Sequence, residues 1–291
     1  MRVGFLLFER WHGKEQIGSS RIRGHWVIKN WPEAEVFVQS QKYDAIIFQK
    51  TYWPEYWKHY KGIKILDLCD PDWLAGHLIG DPVIKKQGIV EMLPYIDAIT
   101  TSTEALAEPL REMAEWYGFD IPIRCIPDRV DLTEYNRVKK HKGEARQVVW
   151  FGYAHNTEAL DVAMPFIKQH NLKLVVISDQ KPPYSRADQN KKFDQDKLVN
   201  ELLKHDMAVF PNYKRGRFQF KSNNKTIQCW AVGLPVATTP DELSRFMDGE
   251  ARQKEAIKRR KEVEEKYDVK LSVKEYKDLI CEIQKTKQRK T

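Results

Sequence analysis

Apolar runs alternating with helical patterns, once along the first half of the chain and again along the second, limit its folds more than any other feature. Val3 to Phe8, Val36 to Gln39, Ala45 to Phe48, Ile63 to Cys69, Ala98 to Thr101 and Ile123 to Pro127 read as strands. Helices fit between them. The clearest runs from Thr103 to Tyr117, where Ser102 or Thr103 can cap, Ala105, Leu106, Leu110 and Met113 recur at helical spacing, and Gly118 stops the pattern. Strand and helix in alternation predict a parallel sheet. The plan repeats with strands at Val148 to Phe151, Leu174 to Ile177, Met207 to Phe210 and Pro235 to Ala237, and helices near Thr157 to Gln169, Gln195 to Lys204 and Lys225 to Val232.

Between the halves, Asn136 to Glu144 is charged, short of apolar residues and contains Gly143, so it reads as a linker. The predicted organisation is an α/β domain over residues 1–135, a linker over 136–145, a second α/β domain over 146–248, and C-terminal helices over 249–291. In the last part a long charged helix runs to Tyr267. A second, Ser272 to Ile283, carries an apolar stripe of Val273, Tyr276, Leu279, Ile280 and Ile283. At 291 residues the chain is long enough for two domains with a core each.

Net charge is +8, and residues 251–291 hold fourteen Lys and Arg against eight Asp and Glu, a surplus of six. The basic tail, Lys285 to Lys290, suits an anionic partner such as nucleic acid or a membrane surface, or simply a solvated terminus. Cys69, Cys125, Cys229 and Cys281 lie far apart in apolar contexts without metal or redox spacing, which predicts buried, reduced thiols in a cytoplasmic protein. The apolar start ends at Glu9 and Arg10, too short for a signal peptide or a membrane span.

Phe220 to Ala237 concentrates the chemistry. Ser222, Asn223 and Asn224 are natural N-cap residues, Lys221 and Lys225 flank them, and Gly233 ends a short apolar helix before a strand. A helix start of this kind can hold an anion through its backbone N–H groups and dipole, or it is an ordinary capped helix of an α/β domain. Upstream, Lys214, Arg215 and Arg217 bring the cations between 214 and 225 to five.

This loop, helix, Gly-Leu-Pro-Val and strand resemble the donor segment of GT-B glycosyltransferases of the family 4 type. Ile126 to Leu132 resembles the "IPNGVD" segment ending their first domain, Val148 to Gly152 the first strand of their second, and Thr100 to Glu104 a strand-to-helix step before the linker. The resemblance implies two Rossmann-like domains facing a cleft, with the last helix returning to the first domain. It also implies a nucleoside diphosphate sugar as donor, UDP-sugar first, and no permanently bound cofactor or obligatory metal. Charge stabilisation of the departing diphosphate would fall to the helix start at Ser222, Asn223, Asn224 and Lys225, with Lys221 and Arg217.

The chain also departs from the family pattern. The paired glutamates of the E-x7-E motif fall on Phe220 and Gln228, and the usual Arg and Lys after the glycine of the second-domain first strand fall on Tyr153 and Glu158. Gln228 can still bond ribose hydroxyls, Gly152 keeps the close backbone approach, and the cations of 214–225 would replace the missing pair. Arg21 or Arg23, at a helix start after the first strand, is a second phosphate clamp or an ordinary solvated arginine. His12, Gly13 and Lys14 share that loop.

For proton transfer, Asp70 is the first choice and Asp72 the second, since both follow the fourth strand; either can instead cap the helix that begins near Trp73. Asp179, after the strand ending at Ser178, can meet a base or ribose edge, or cap a turn. Six of nine tryptophans lie in the first 73 residues, and Tyr52 to Trp57 suggests an acceptor-facing aromatic surface. Three functions follow: a cytoplasmic glycosyltransferase, in a bacterium or a bacteriophage-infected cell, acting on hydroxymethylated pyrimidine in DNA; one acting on a saccharide or cell-envelope acceptor; or a GT-B fold that binds nucleotide or sugar without transfer.

Overall fold

The computed structural model describes residues 1–11, 17–51, 57–74, 82–179, 183–212 and 216–290. His12, Gly13, Lys14, residues 52–56, Lys214 and Arg215 lie outside them. The chain forms two compact units. Unit 1 comprises Met1–Arg129, Lys214–Ser222 and Val269–Thr291, and unit 2 comprises Val130–Tyr213 and Asn223–Asp268. The short stretch before the candidate phosphate helix therefore belongs with the N-terminal sheet, although unit 2 chain flanks it on both sides.

Unit 1 is a six-stranded sheet in the order β2-β1-β3-β4-β5-β6, with strands Val3–Leu6 (β1), Ala34–Val36 (β2), Ala45–Gln49 (β3), Ile63–Leu68 (β4), Ala98–Thr101 (β5) and Ile123–Cys125 (β6). All pairs are parallel. Strands β1, β3 and β5 are buried throughout because helices cover both faces, hence their uninterrupted apolar runs. The second strand starts two residues earlier than its apolar run suggests, since Val3 pairs with Ala34 and Phe5 with Val36, which leaves Val38 exposed. The helix Glu104–Trp116 is capped by Thr103, whose hydroxyl accepts from the Leu106 N–H at 3.3 Å, and it buries Leu106, Leu110 and Met113. The helix Val269–Lys290 lays Val273, Tyr276, Leu279, Ile280 and Ile283 into this unit and stays helical through the basic tail.

Unit 2 is a five-stranded parallel sheet, β11-β10-β7-β8-β9, with strands Gln147–Phe151 (β7), Lys173–Ser178 (β8), Gln189–Lys192 (β9), Met207–Val209 (β10) and Val236–Ala237 (β11). The sequence gives no sign of β9. Its residues are Gln-Asn-Lys-Lys, and only pairing with β8 makes them a strand. The expected helix over 157–169 divides into a tighter 3₁₀ stretch, Ala154–Val162, and a short helix, Met164–Gln169. The charged helix Gly249–Lys266 is capped by Asp248, which accepts from the Ala251 N–H at 2.8 Å. Its Arg252 is fully buried and donates to the carbonyls of Phe246, Met247 and Gly143.

All four cysteines are free thiols. Cys69 and Cys229 are buried, but Cys281 is exposed, because it falls on the outer face of the last helix. Burial pushes the Cys125 thiol up to about 11. Among the described residues, no helix is long and apolar enough to cross a membrane.

Candidate functional site

Each sheet has one place where strand order reverses, and ligands of open parallel sheets bind outside the carboxyl ends of the strands at that point. In unit 2 the chain adds β8 and β9 on one side of β7, then β10 and β11 on the other, so the crevice lies between the ends of β7 and β10. Gly152 follows β7, and Phe210 follows β10. Lys225, in the first turn of the helix Asn224–Ala231, reaches into this place. Its ammonium lies 5.1 Å from the Trp150 ring centroid and 5.7 Å from that of Phe210. A Cβ built on Gly152 would stand 2.7 Å from Lys225 Nζ, so the bare glycine backbone is what admits the lysine. Tyr153, just after this glycine, is uncharged, and the cation beside Gly152 is Lys225, from another element.

The helix itself follows from its residues. Ile227, Cys229 and Ala231 are buried, and Gly233 at φ +68 ends it in a left-handed turn. Asn223 is the N-cap but makes no side-chain cap bond, and Ser222 does not cap either: its hydroxyl donates to Asp128 at 2.5 Å. Asp179 is exposed, and one of its oxygens accepts from the Ala154 N–H at 2.8 Å, which holds the turn after Gly152. Gln228 departs from its expected role. It is 2% exposed, its Oε1 accepts from the Tyr135 hydroxyl at 2.6 Å, and its Nε2 donates to the Asn224 carbonyl, so it is a packing residue and is not presented to a ribose.

In unit 1 the order reverses between β1 and β3. At the end of β3, Lys50 holds a left-handed backbone, φ +56, an uncommon and strained state for a long side chain. Its ammonium is buried, 2.5 Å from Asp70 Oδ2, 3.9 Å from Asp72 and 4.4 Å from the Phe8 ring centroid. The Lys221 ammonium donates to the other oxygen of Asp70. Burial alone would raise the Asp70 pKa, but the charges of Lys50 and Lys221 outweigh it and hold the carboxyl well below the usual range. Lys50 is raised for the reciprocal reason: Asp70 overcomes desolvation. A carboxylate locked between two ammonium groups is a poor proton acceptor, which weighs against the first choice of base, and the second choice, Asp72, is half-buried on the same turn.

Arg23 is a second correction. It is 4% exposed, and its fork of donors is taken by Asp67, Asp128, the Ile126 carbonyl and the Tyr276 hydroxyl. Thr100 and Tyr276 also donate to Asp67. The guanidinium is consumed inside unit 1, with its pKa raised by Asp67 and Tyr276 against burial, and no donor is left for a phosphate. Arg21 is half-buried with its guanidinium 5.4 Å from the Trp26 ring centroid, and Arg217 lies 5.6 Å from that of Phe218.

The aromatic surface expected near the acceptor is also revised at its described member. Trp57 is fully buried against Phe48, centroids 4.0 Å apart, and Trp26, Trp31 and Trp73 are core residues too. Phe220 packs on the unit 1 core, and its carbonyl accepts from Thr103 Oγ1 at 3.1 Å. Sequence reasoning missed Lys50 altogether. Its one signal is a cation directly following an apolar strand.

No family model matches this sequence. No curated protein is similar to it by sequence search. Solved structures are similar in fold. The structure of TarM matches with a TM-score of 0.60 at 14% identity over 87% of this chain, which spans 56% of the length of TarM. HepE of Anabaena, crystallised with UDP and glucose, matches with a TM-score of 0.67 at 10% identity over 97% of this chain and 100% of its own. T4 phage BGT, crystallised with its UDP-glucose substrate, matches with a TM-score of 0.60 at 10% identity over 96% of this chain and 99% of its own. Two parallel-sheet units, with the likeness to HepE and T4 phage BGT across nearly the whole chain, give this protein the GT-B fold.

Proposed function

We propose that the protein moves a sugar from a nucleoside diphosphate sugar, UDP-sugar first, to an acceptor hydroxyl. The observation that carries this reading is Lys225, whose ammonium lies against Gly152 and the rings of Trp150 and Phe210 where the strand order of unit 2 reverses. In the reaction, the bond from the anomeric carbon to the diphosphate oxygen breaks, that carbon bonds the acceptor oxygen, and the acceptor proton passes to a carboxylate. Lys225 meets the charge that develops on the leaving diphosphate, with the helix start at Asn223 and Asn224 beside it, and Asp179 is kept for a base or ribose edge. On the acceptor side, Asp72 takes the proton and Asp70 serves to hold Lys50 and Lys221. The likeness to HepE with UDP and glucose and to T4 phage BGT with UDP-glucose supports the donor class.

The acceptor in this reading is a hydroxymethylated pyrimidine in DNA. Its support is electrostatic: the surplus of six positive charges over residues 251–291, with Lys285 and Arg289 exposed on the last helix. The free cysteines fit a cytoplasmic setting. Release of nucleoside diphosphate from UDP-, GDP- and ADP-sugars, measured with and without hydroxymethylated DNA, tests both halves. Release that requires the modified DNA supports the whole reading. Release with a saccharide acceptor alone removes the DNA part, and nucleotide binding without any transfer leaves a binding protein.

A further inference from the structure

The exit of β3 carries three consecutive buried polar residues, Gln49, Lys50 and Thr51, exposed by 0%, 8% and 0%. They stand where the strand order of unit 1 reverses, the place at which a parallel sheet offers its crevice. Gln49 is fixed there: its Oε1 accepts from the Phe8 N–H and from the Ser20 hydroxyl, both at 2.9 Å. That leaves Gln49 Nε2 with no partner among the described residues, and Thr51 Oγ1 has none either. Buried polar groups are normally satisfied, and each one left bare costs stability. Between the two, the backbone of Lys50 is held left-handed, a further cost that persists at ligand sites when the surroundings impose it. The charge of Lys50 is already matched by Asp70 at 2.5 Å and faces Asp72 and the Phe8 ring, so nothing here calls for an anion.

We propose that Gln49 and Thr51 form a subsite for an uncharged, hydroxyl-bearing part of the acceptor, with Lys50 as the residue that positions them. This rests on the glycosyl-transfer reading and deepens it by naming the class of group held in unit 1. Gln49 Nε2 donates to an oxygen of that group and Thr51 Oγ1 takes part in a second hydrogen bond. Lys50 and Lys221 against Asp70 and Asp72 present no net charge beside them. A sugar ring and a hydroxymethylpyrimidine both offer this chemistry.

The test uses the full chain, labelled with nitrogen-15, and follows the Gln49 side-chain NH2 signals during titration with glucose, 5-hydroxymethyl-2′-deoxycytidine and glucose 6-phosphate. An uncharged probe should shift those signals, and the two uncharged probes distinguish a saccharide from a pyrimidine source. Gln49→Glu, which keeps the Oε1 contacts and loses the donor, and Thr51→Val should each weaken that probe by about three- to tenfold, with Thr51→Ser retaining affinity. Absence of any shift, tighter binding of the phosphorylated sugar, or unchanged affinity in both variants would overturn the subsite. UDP binding, measured separately by calorimetry, reports on the donor reading: its absence sinks that reading, whereas UDP binding with a silent Gln49 sinks only the subsite.

Discussion

Lys50 Nζ stands 2.5 Å from Asp70 Oδ2, both groups largely buried, on a backbone that only a well-determined surrounding holds at φ +56. Asp70 in turn receives Lys221 from the stretch that leads to the helix Asn224–Ala231. One carboxylate thus ties the exit of β3 to a segment more than 150 residues later in the chain. Removing one partner of a buried pair strands the other. Lys50→Met should therefore destabilise unit 1 by about 3 kcal/mol, the low end for such pairs because Lys221 remains, as read by chemical unfolding. The pH dependence follows from the lowered Asp70 pKa. Its contribution is complete above the unfolded carboxylate value of about 4 and is lost as pH falls through the lower folded value. Asp70→Asn should flatten the acid limb of the stability curve.

Proton transfer separates the two neighbouring carboxylates. Asp72→Asn should lower kcat by about 10²- to 10⁴-fold while UDP still binds. An unchanged kcat would remove Asp72 from the reaction.

Lys225→Met should weaken UDP by about 1.5 to 3 kcal/mol, the range for a hydrogen bond to a charged group, in a calorimetric titration. Gly152→Ala should act through the same lysine, since its methyl group would stand 2.7 Å from Nζ at the flexible end of the side chain, and it should also cost stability, since the methyl group meets the buried Trp150 ring at 3.0 Å on a backbone at φ +157. UDP affinity of the folded variant should fall. Equal affinity in both variants would place the diphosphate elsewhere.

Arg23 should behave as a structural cation. Arg23→Met should cost about 3 to 5 kcal/mol by leaving Asp67 and Asp128 uncompensated, and Arg23→Lys should recover little because an ammonium lacks the planar fork. Retained UDP affinity in the folded Lys variant would separate this role from that of a phosphate clamp.

Unit 2 should lose stability as pH falls below about 6.5, the unfolded histidine value. His141 and His205 are buried, each hydrogen-bonded to a backbone carbonyl, of Gly233 and Glu201 respectively, and desolvation lowers both pKa values. Groups with lowered folded values stabilise above the unfolded pKa, and that contribution is lost as pH falls through the folded value. Unfolding of the His141→Gln/His205→Gln double variant should show a flatter slope between pH 7.5 and 5.5, whatever its absolute stability.

The sequence by itself determined the architecture. Apolar runs such as Ala45–Gln49 and Lys173–Ser178, spaced by helical patterns, can be buried together only as parallel sheets, and Thr103 caps its helix from local chemistry alone. That Lys225 opens a helix was also within reach, because the stretch from Ser222 to Gly233 is continuous, whereas its place beside Gly152 was not, since the two lie on separate elements. What only the tertiary structure decided was which polar side chains are spent internally. Arg23 and Gln228 look like ligands in one dimension, yet partners 44 and 93 residues away, Asp67 and Tyr135, take up their hydrogen bonds. Lys50, unremarked in the sequence, is brought to Asp70 by the pairing of β3 with β4. A hydrogen bond or ion pair is settled by distance in space, and the sequence holds that distance only through the fold.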